Sequence, residues 1–242
     1  MLKHPPILGG PAQEGMLVID VLSQKLMGLV EFYGEAYLDV GCGNGAFTVG
    51  LGNKFNRVVG IDVESNRLID FSRNRRAYRV LVCQMSAEEM GFADETFDLI
   101  SAIEVLEHIP NLSKAIFEIH RVLKSGGYFC ITCPNQWFPF ETHGIKLLGR
   151  EIGGRYPLLT YFPSLHSRIA LARVFTVRSL DSIITPIGFK RTGLDFAFPT
   201  FERGSRWGKL FRPLRNLMRW LERTPLRVFG VSIVAAYQKV DR

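Results

Sequence analysis

The sequence has no apolar run approaching the roughly 18 residues that a membrane-spanning helix needs, which argues against integral insertion. Its first ten residues, MLKHPPILGG, lack the basic-then-apolar layout of a secretory signal. Cysteine is scarce: Cys42, Cys83, Cys130 and Cys133 all sit in or beside apolar, strand-like segments, so a reducing cytoplasm is the expected compartment. Cys130 and Cys133 have the C-x-x-C spacing of a redox or zinc motif, yet they lie in GGYFCITCPN, which reads as a strand, where residues three apart point to opposite faces, and this favours core cysteines over such a motif. Internal repeats and low-complexity tracts are absent. At 22% charged and 47% hydrophobic residues the chain is neither disordered nor fibrous.

Acidic residues are the scarcer sign, 23 against 30 Lys and Arg, and the resulting +7 is local. Residues Phe201 to Phe229 carry Arg203, Arg206, Lys209, Arg212, Arg215, Arg219, Arg223 and Arg227 against only Glu202 and Glu222, so the rest of the chain is nearly neutral. A basic face confined in this way speaks to a local partner, not to a general affinity for polyanions.

From Tyr37 to Thr132 short apolar runs alternate with polar-periodic ones, the pattern of strands joined by helical crossovers. Strands are predicted near Tyr37–Val40, Arg57–Ile61, Arg79–Cys83, Phe97–Ala102 and Tyr128–Thr132, with helices over Ser65–Arg75 and Leu112–Leu123. Ser125-Gly126-Gly127 is expected to break the second helix before the fifth strand. Glu14–Phe32 has helical periodicity, placing a helix on the sheet or over the site. Pro134–Thr176, rich in aromatics, Pro, Gly and His, reads as an inserted cap. A helix over Val177–Ile184 with Thr176 as N-cap, strand-like Phe189–Phe196 and β-rich Val228–Gln238 complete the chain. The expected organisation is one domain spanning residues 1–242: a core at 35–136, a cap at 137–176, and C-terminal helices and last strands at 177–242.

The strongest signal is Tyr37-Leu-Asp-Val-Gly-Cys-Gly-Asn-Gly45, a buried strand entering a glycine turn that opens a helix at Ala46–Leu51. Bare backbone at Gly41, Gly43 and Gly45 lets a nucleoside-type ligand lie against the chain, and the helix N-terminus offers a positive end for a carboxylate. Gly41, Gly43 and Ala46 also satisfy the G-x-G-x-x-G/A fingerprint of dinucleotide enzymes, and Asp62, 21 residues after Gly41, suits ribose hydroxyls in either case. Asp39 separates the two readings. A carboxylate there suits an ammonium and a sulfonium and repels a pyrophosphate.

Leu38-Asp-Val-Gly-Cys-Gly-Asn-Gly45, Val59-Gly-Ile-Asp62, Phe97-Asp-Leu-Ile100, Val105-Leu-Glu-His-Ile109 and Leu123-Lys-Ser-Gly-Gly127 follow in order. Together they resemble the class I S-adenosylmethionine (SAM)-dependent methyltransferases, especially the branch holding ubiquinone and menaquinone methyltransferases and natural-product and glycan-modifying enzymes. The likeness runs from Tyr37 to about Asn135. It implies a Rossmann-like α/β fold: a mostly parallel seven-stranded sheet, helices on both faces and a cap inserted after strand five. It further implies SAM as cofactor, with S-adenosylhomocysteine as product. Asp39, Gly41, Cys42, Gly43, Asn44 and Gly45 would hold the methionine part, and Asp62 with Val63 the ribose. Ser86, Ala87 and Glu88 would lie at the adenine, and Ile103 and Glu104 along the cofactor. Ser86 stands where the family usually has Asp, a weaker acceptor for the adenine amino group.

Methyl transfer from SAM is an in-line displacement, so alignment and exclusion of water come first, and a base is needed only if the acceptor must lose a proton. Pro134-Asn-Gln-Trp-Phe-Pro-Phe-Glu-Thr-His143 should emerge at the carboxyl end of the sheet, with Trp137, Phe138 and Phe140 as apolar walls. His143, paired with Glu141, is the candidate base. His108 and His166 are weaker ones. No cluster has metal-ligand spacing along the chain, so no metal is expected.

Leu210–Arg223 reads as an amphipathic basic helix. Arg212, Arg215, Arg219 and Arg223 lie on one side and Leu210, Leu214, Leu217, Met218 and Leu221 on the other, with Trp207 and Trp220 beside the arginines. It either packs on the enzyme or meets an anionic membrane surface or lipid-linked acceptor, which would make a cytoplasmic enzyme peripheral to the membrane. Nucleic acid is disfavoured, since no RNA-binding module and no Asn-Pro-Pro-Tyr type motif is present. The leading expectation is O-methylation of a quinone precursor, natural product or lipid-linked sugar. The alternatives are an NAD(P)-dependent oxidoreductase, a nucleic-acid methyltransferase and an inactive SAM-binding partner subunit. Neither the acceptor nor an oligomeric state is legible in the sequence.

Overall fold

The computed structural model describes residues 16–73, 79–199 and 212–240. The expected start of the first helix at 14–15, the end of the helix predicted to reach Arg75, and Arg203, Arg206, Trp207, Lys209 and Leu210 of the basic segment lie outside these residues. Helix α1 (Met16–Leu29) is followed by β1 (Gly34–Val40), a one-turn α2 (Thr48–Leu51), β2 (Phe55–Asp62), α3 (Ser65–Ser72), β3 (Val80–Gln84) and β4 (Phe97–Ile103). Then come α4 (Leu112–Val122), β5 (Leu123–Pro134), a lid, α6 (Val177–Ile184), β10 (Phe189–Ala197), α7 (Arg212–Leu221) and β11 (Ser232–Lys239). The lid contains β6 (Phe140–Glu141), β7 (Ile145–Leu147), β8 (Arg150–Ile152), β9 (Tyr156–Pro157) and α5 (Pro163–Ile169).

Seven strands form one sheet in the order β10-β11-β5-β4-β1-β2-β3. Only β11 runs against its neighbours β5 and β10; the remaining pairings are parallel. The expected Rossmann-like architecture is therefore present. Fully buried runs at Ala36–Val40 and Val58–Asp62 match strands covered on both faces. One face packs Leu38, Ile100, Phe129 and Cys133 against α4 and α6, and the other packs Tyr37, Leu99, Cys130 and Val234 against α1. Cys130 and Cys133 thus lie on opposite faces, as strand alternation requires. Helix α1 lies on the sheet, with Lys25 Nζ 2.9 Å from Asp195 Oδ2 on β10 and Leu22 and Leu26 in the core.

Three local expectations change. The helix expected from Ala46 begins at Thr48 and lasts four residues, because Gly41 to Ala46 are spent in turns. Ser125-Gly126-Gly127 does not separate α4 from the fifth strand. That strand begins at Leu123, where the backbone switches to φ −80°, ψ 135°, and the glycines form an irregularity within it, with Gly126 at φ +74°. Val228 and Phe229, read as strand, belong to a 3-10 turn over Pro225–Phe229 before β11. Thr176 caps α6 as expected, in a reciprocal capping box with Ser179.

The lid departs from and returns to one point. Phe175 N donates to Pro134 O (2.9 Å) and Gln136 N to Phe175 O (2.8 Å), so the insertion is a closed excursion from the carboxyl end of β5. Its substance is two antiparallel ribbons, β6 with β9 and β7 with β8, followed by α5.

Candidate active site

The parallel strands deliver their carboxyl ends to one edge, where the β1 glycine turn, the end of β2, the β4–α4 loop and the lid meet. The turn is clamped to β2: Gly41 N and Cys42 N both donate to Ile61 O (2.7 and 3.0 Å), and Gly43 N donates to Asp62 Oδ2 (2.9 Å). Gly41, Gly43 and Gly45 have φ of +70°, +52° and +81°, a region costly for any side chain. Their surroundings differ. A Cβ on Gly41 would stand 2.3 Å from Val105 Cγ2 and one on Gly45 2.2 Å from Phe71 Cε2, whereas one on Gly43 meets nothing within 4 Å. The Cβ directions of Gly41 and Gly45 are thus filled by the protein's own side chains, and that of Gly43 is open. The Cys42 side chain turns inward onto Leu68 and Phe71, leaving only its backbone for the loop. Asn44 is exposed and accepts from Ala46 N (3.3 Å).

Asp39 is 3% exposed and sits in a chain of hydroxyls that sequence reasoning missed. Thr48 Oγ1 donates to its Oδ2 (2.5 Å) and Ser101 Oγ to its Oδ1 (2.6 Å), while Tyr37 Oη and Ser101 Oγ are 2.6 Å apart. Burial, the largest influence, pushes its carboxyl up against the pull of those hydrogen bonds, and Asp62 adds to the rise, leaving it at about 6. A ligand cation placed near this carboxylate would restore it to full charge. Asp62, also buried, accepts from Gly43 N and, through Oδ1, from Glu64 N (2.9 Å), so it shapes both turns flanking the ribose position. Val63 is exposed beside it, and Ile103 is buried under the site. On the adenine side, Ser86 Oγ accepts from Glu88 N (3.1 Å) and Ala87 is buried. Glu88 Oε1 accepts from Asn111 N (2.9 Å), which ties this segment to the N-cap of α4.

Beyond Val105, which covers Gly41, the β4–α4 loop contributes a second cluster. Glu104 adopts φ +54°, unusual for a residue with a side chain, and its N donates to Thr132 O (3.0 Å). Its Oε1 is buried with no hydrogen-bond partner, and burial raises its pKa despite the nearby His143, Thr132 and Ser232. Glu107, 3% exposed, places Oε1 3.8 Å from His108 Nε2 and 3.9 Å from His143 Nε2. The His108 and His143 rings are 5.8 Å apart. Behind them stands Glu141, 1% exposed, which accepts from His143 N (2.6 Å), lies 3.4 Å from His143 Nδ1 and has His166 Nε2 2.5 Å from its other oxygen. Burial raises the Glu141 carboxyl, but the hydrogen bonds from His143 and His166 outweigh it and hold the group at about 2. The four acid–base candidates, Glu141, His143, His108 and His166, thus fall in one connected cluster, and Glu107, missed in the sequence, stands between His108 and His143.

The expectation of no metal site rested on spacing along the chain, and the fold brings together three candidate ligands that this spacing does not show. Glu107, His108 and His143 offer ligand atoms within 4.8 Å of one another, the third supplied by the lid. Ligands about 2.0–2.2 Å from a shared ion stand roughly 3–4 Å apart, which the 3.8 and 3.9 Å separations fit.

Residues 38–131 match the methyltransferase domain family. The chain is 32% identical over 123 residues to a ubiquinone biosynthesis O-methyltransferase of Alkalilimnicola ehrlichii, covering 50% of this chain and 49% of that one. It is 28% identical over 215 residues to the mitochondrial ubiquinone biosynthesis O-methyltransferase of Rattus norvegicus, covering 85% and 55%. The chain therefore spans about half the length of these curated relatives. An S-adenosylmethionine-dependent methyltransferase from Mesorhizobium loti superimposes with a TM-score of 0.63 at 15% identity, over 91% of this chain and all of that one, which establishes the shared fold. With the glycine turn, the two strand-end carboxylates and the topology in agreement, the dinucleotide reading falls away: residues 38–131 are a methyltransferase domain, and the chain has the fold of the S-adenosylmethionine-dependent methyltransferases, a family whose cofactor is S-adenosylmethionine.

Proposed function

We propose that the protein transfers the methyl group of SAM to a hydroxyl of a small or amphipathic acceptor held under the lid, and that Glu107, His108 and His143 would hold a divalent metal ion beside that hydroxyl. The observation that carries the proposal is the position of this cluster, two residues beyond Val105, which packs on the cofactor turn at Gly41. A bound divalent ion would supply the charge that lowers a hydroxyl pKa toward neutrality. The chain's own groups do the rest. Glu141, held by His166, fixes the orientation of His143 through its backbone and ring, and Asp39 and Asp62 set the cofactor turn. Trp137, Phe138 and Phe140 give the lid aromatic walls suited to a planar or isoprenoid acceptor. The names of the relatives, enzymes of ubiquinone biosynthesis, favour an aromatic hydroxyl.

The test combines binding and turnover. Thermal melts of chelator-stripped protein with Mg²⁺, Mn²⁺ or Zn²⁺ should rise for the wild type and not for Glu107→Gln, and release of S-adenosylhomocysteine with a catechol or hydroxyquinone acceptor should require the ion. Turnover unchanged by chelator, with His143→Ala still inactive, would replace the metal by His143 as a general base paired with Glu141. Absence of SAM binding by calorimetry would remove the methyl-transfer reading itself.

A further inference from the structure

The outer surface of the lid is apolar where a lone protein has no use for it. Ribbon β7–β8 turns through Leu148 and Gly149, with φ of +49° and +79°, the two positive values a tight two-residue hairpin needs. Asn or Gly suits the first of these positions. Here it is leucine, 96% exposed, standing at the tip of the ribbon between Leu147 at 49% and, one turn of the strand away, Ile152 at 41%. Leu158, Phe162 and Leu165 continue the apolar surface along the rest of the lid, each about half exposed or more.

The charges around it are predominantly positive. Lys146, Arg150, Arg155 and Arg168 are exposed against the single exposed carboxylate of Glu151. The same edge of the sheet carries a second surface of this kind. Asn135, at the root of the lid, donates through Nδ2 to Val228 O and Gly230 O (2.8 and 2.7 Å), so the turn before β11 emerges beside the lid. That turn exposes Leu226, Arg227, Val228 and Phe229, and α7 before it exposes Leu217, Arg219 and Trp220. The apolar side expected to pack α7 on the enzyme is therefore not buried at Leu217. Cations interleaved with exposed leucine and aromatic side chains, all on the edge where the acceptor must enter, complement an anionic bilayer surface: headgroups for the arginines, the acyl boundary for the apolar tips.

We propose that this edge of the protein docks on anionic lipid, with the Leu148 hairpin as its inserting tip and the segment from α7 to Phe229 as a second contact. The surface stands on exposed residues alone; only its use, to present a membrane-borne acceptor to the lid, rests on the methyl-transfer reading above.

Co-sedimentation with large vesicles, either all phosphatidylcholine or with one third phosphatidylglycerol, tests it on the full chain. The wild type should bind the anionic vesicles at low salt and the neutral ones far less. Leu148→Asn suits the left-handed turn and keeps the polar surface, so its melting temperature should hold or rise while its partition coefficient on anionic vesicles falls at least tenfold, as expected for withdrawing one leucine from an apolar phase. Wild type that stays in the supernatant, or Leu148→Asn that binds as the wild type does, overturns the proposal. So does sedimentation equilibrium showing a dimer that dissociates in Leu148→Asn, since a second copy would then be the occupant. Calorimetry with SAM on the same samples reports independently on the methyl-transfer reading: vesicle binding without SAM binding would keep the surface and discard the reading.

Discussion

A methyl group placed on Gly45 and one placed on Gly43 should fail in different ways, although the two glycines are neighbours in one motif. At Gly45 the new Cβ would stand 2.2, 2.4 and 2.5 Å from three atoms of the ring of Phe71, a residue of α3 fully buried in a cluster with Cys42 and Leu68. The ring must move within a packed layer, which costs about 1–3 kcal/mol, and alanine at φ +81° adds about 1 kcal/mol. A total of roughly 2–4 kcal/mol lowers the melting temperature of a domain this size by on the order of 5–15 °C. At Gly43 the Cβ meets nothing, so only the φ +52° strain remains, about 1 kcal/mol and a few degrees. The space it enters, however, is the space assigned to the cofactor, and SAM affinity should fall at least tenfold. Differential scanning fluorimetry and calorimetry with SAM on both variants separate the two effects. A Gly45→Ala protein as stable as the wild type, or a Gly43→Ala protein that binds SAM normally, would refute the division of labour drawn from the packing.

Asp39 makes the ligand-free protein sensitive to pH. Its folded carboxyl at about 6 lies above the unfolded value of 3.8, so its contribution is fully present below pH 3.8 and is lost as pH rises through 6, a change of about 3 kcal/mol. Urea titrations of the wild type across pH 4 to 7 should show this fall on top of other groups, and Asp39→Asn should remove it; identical slopes in both proteins would rule the assignment out. SAM affinity should rise over the same interval as the carboxylate ionises. His143→Ala should depress turnover far more than SAM affinity, and a variant with normal turnover at saturating acceptor would take His143 out of the chemistry. Burial pushes the thiols of Cys42, Cys130 and Cys133 up, so in the native state they should resist iodoacetamide at pH 8, and rapid labelling of any of them by mass spectrometry would contradict the packing. Thr176→Ala should cost about 1 kcal/mol through loss of the α6 capping box, read as a lower urea midpoint.

Strands β1 to β5 were legible because their signals are local: apolar runs of strand length, bounded by glycine and polar turns. Elements shorter than a helix turn or two were not. The lid ribbons are two or three residues long, too short for periodicity, and their pairing depends on turns at Leu148-Gly149 and on contacts with α5. Glu107 escaped notice although it stands beside His108 in Val105-Leu-Glu-His-Ile109, because a strand-end glutamate next to a histidine has no signature until His143 folds over it. Thr48 and Ser101 were missed for the same reason. Nothing in their neighbourhoods marks them as partners of Asp39, nine residues before one and sixty-two before the other.

The succession of strands β1 to β5 along the chain, the glycine turn, the acid at the end of each of the first two strands and the class of cofactor were all determined by the sequence, since each is signalled by a short local run of residues. The division of the three glycines between packing and ligand, the carboxylate–histidine cluster and the exposed apolar edge of the lid were decided only by the tertiary structure. Each of these depends on which side chains from distant segments occupy the same few ångströms, and that is a property of the folded sheet and its insertion, not of any stretch of the chain.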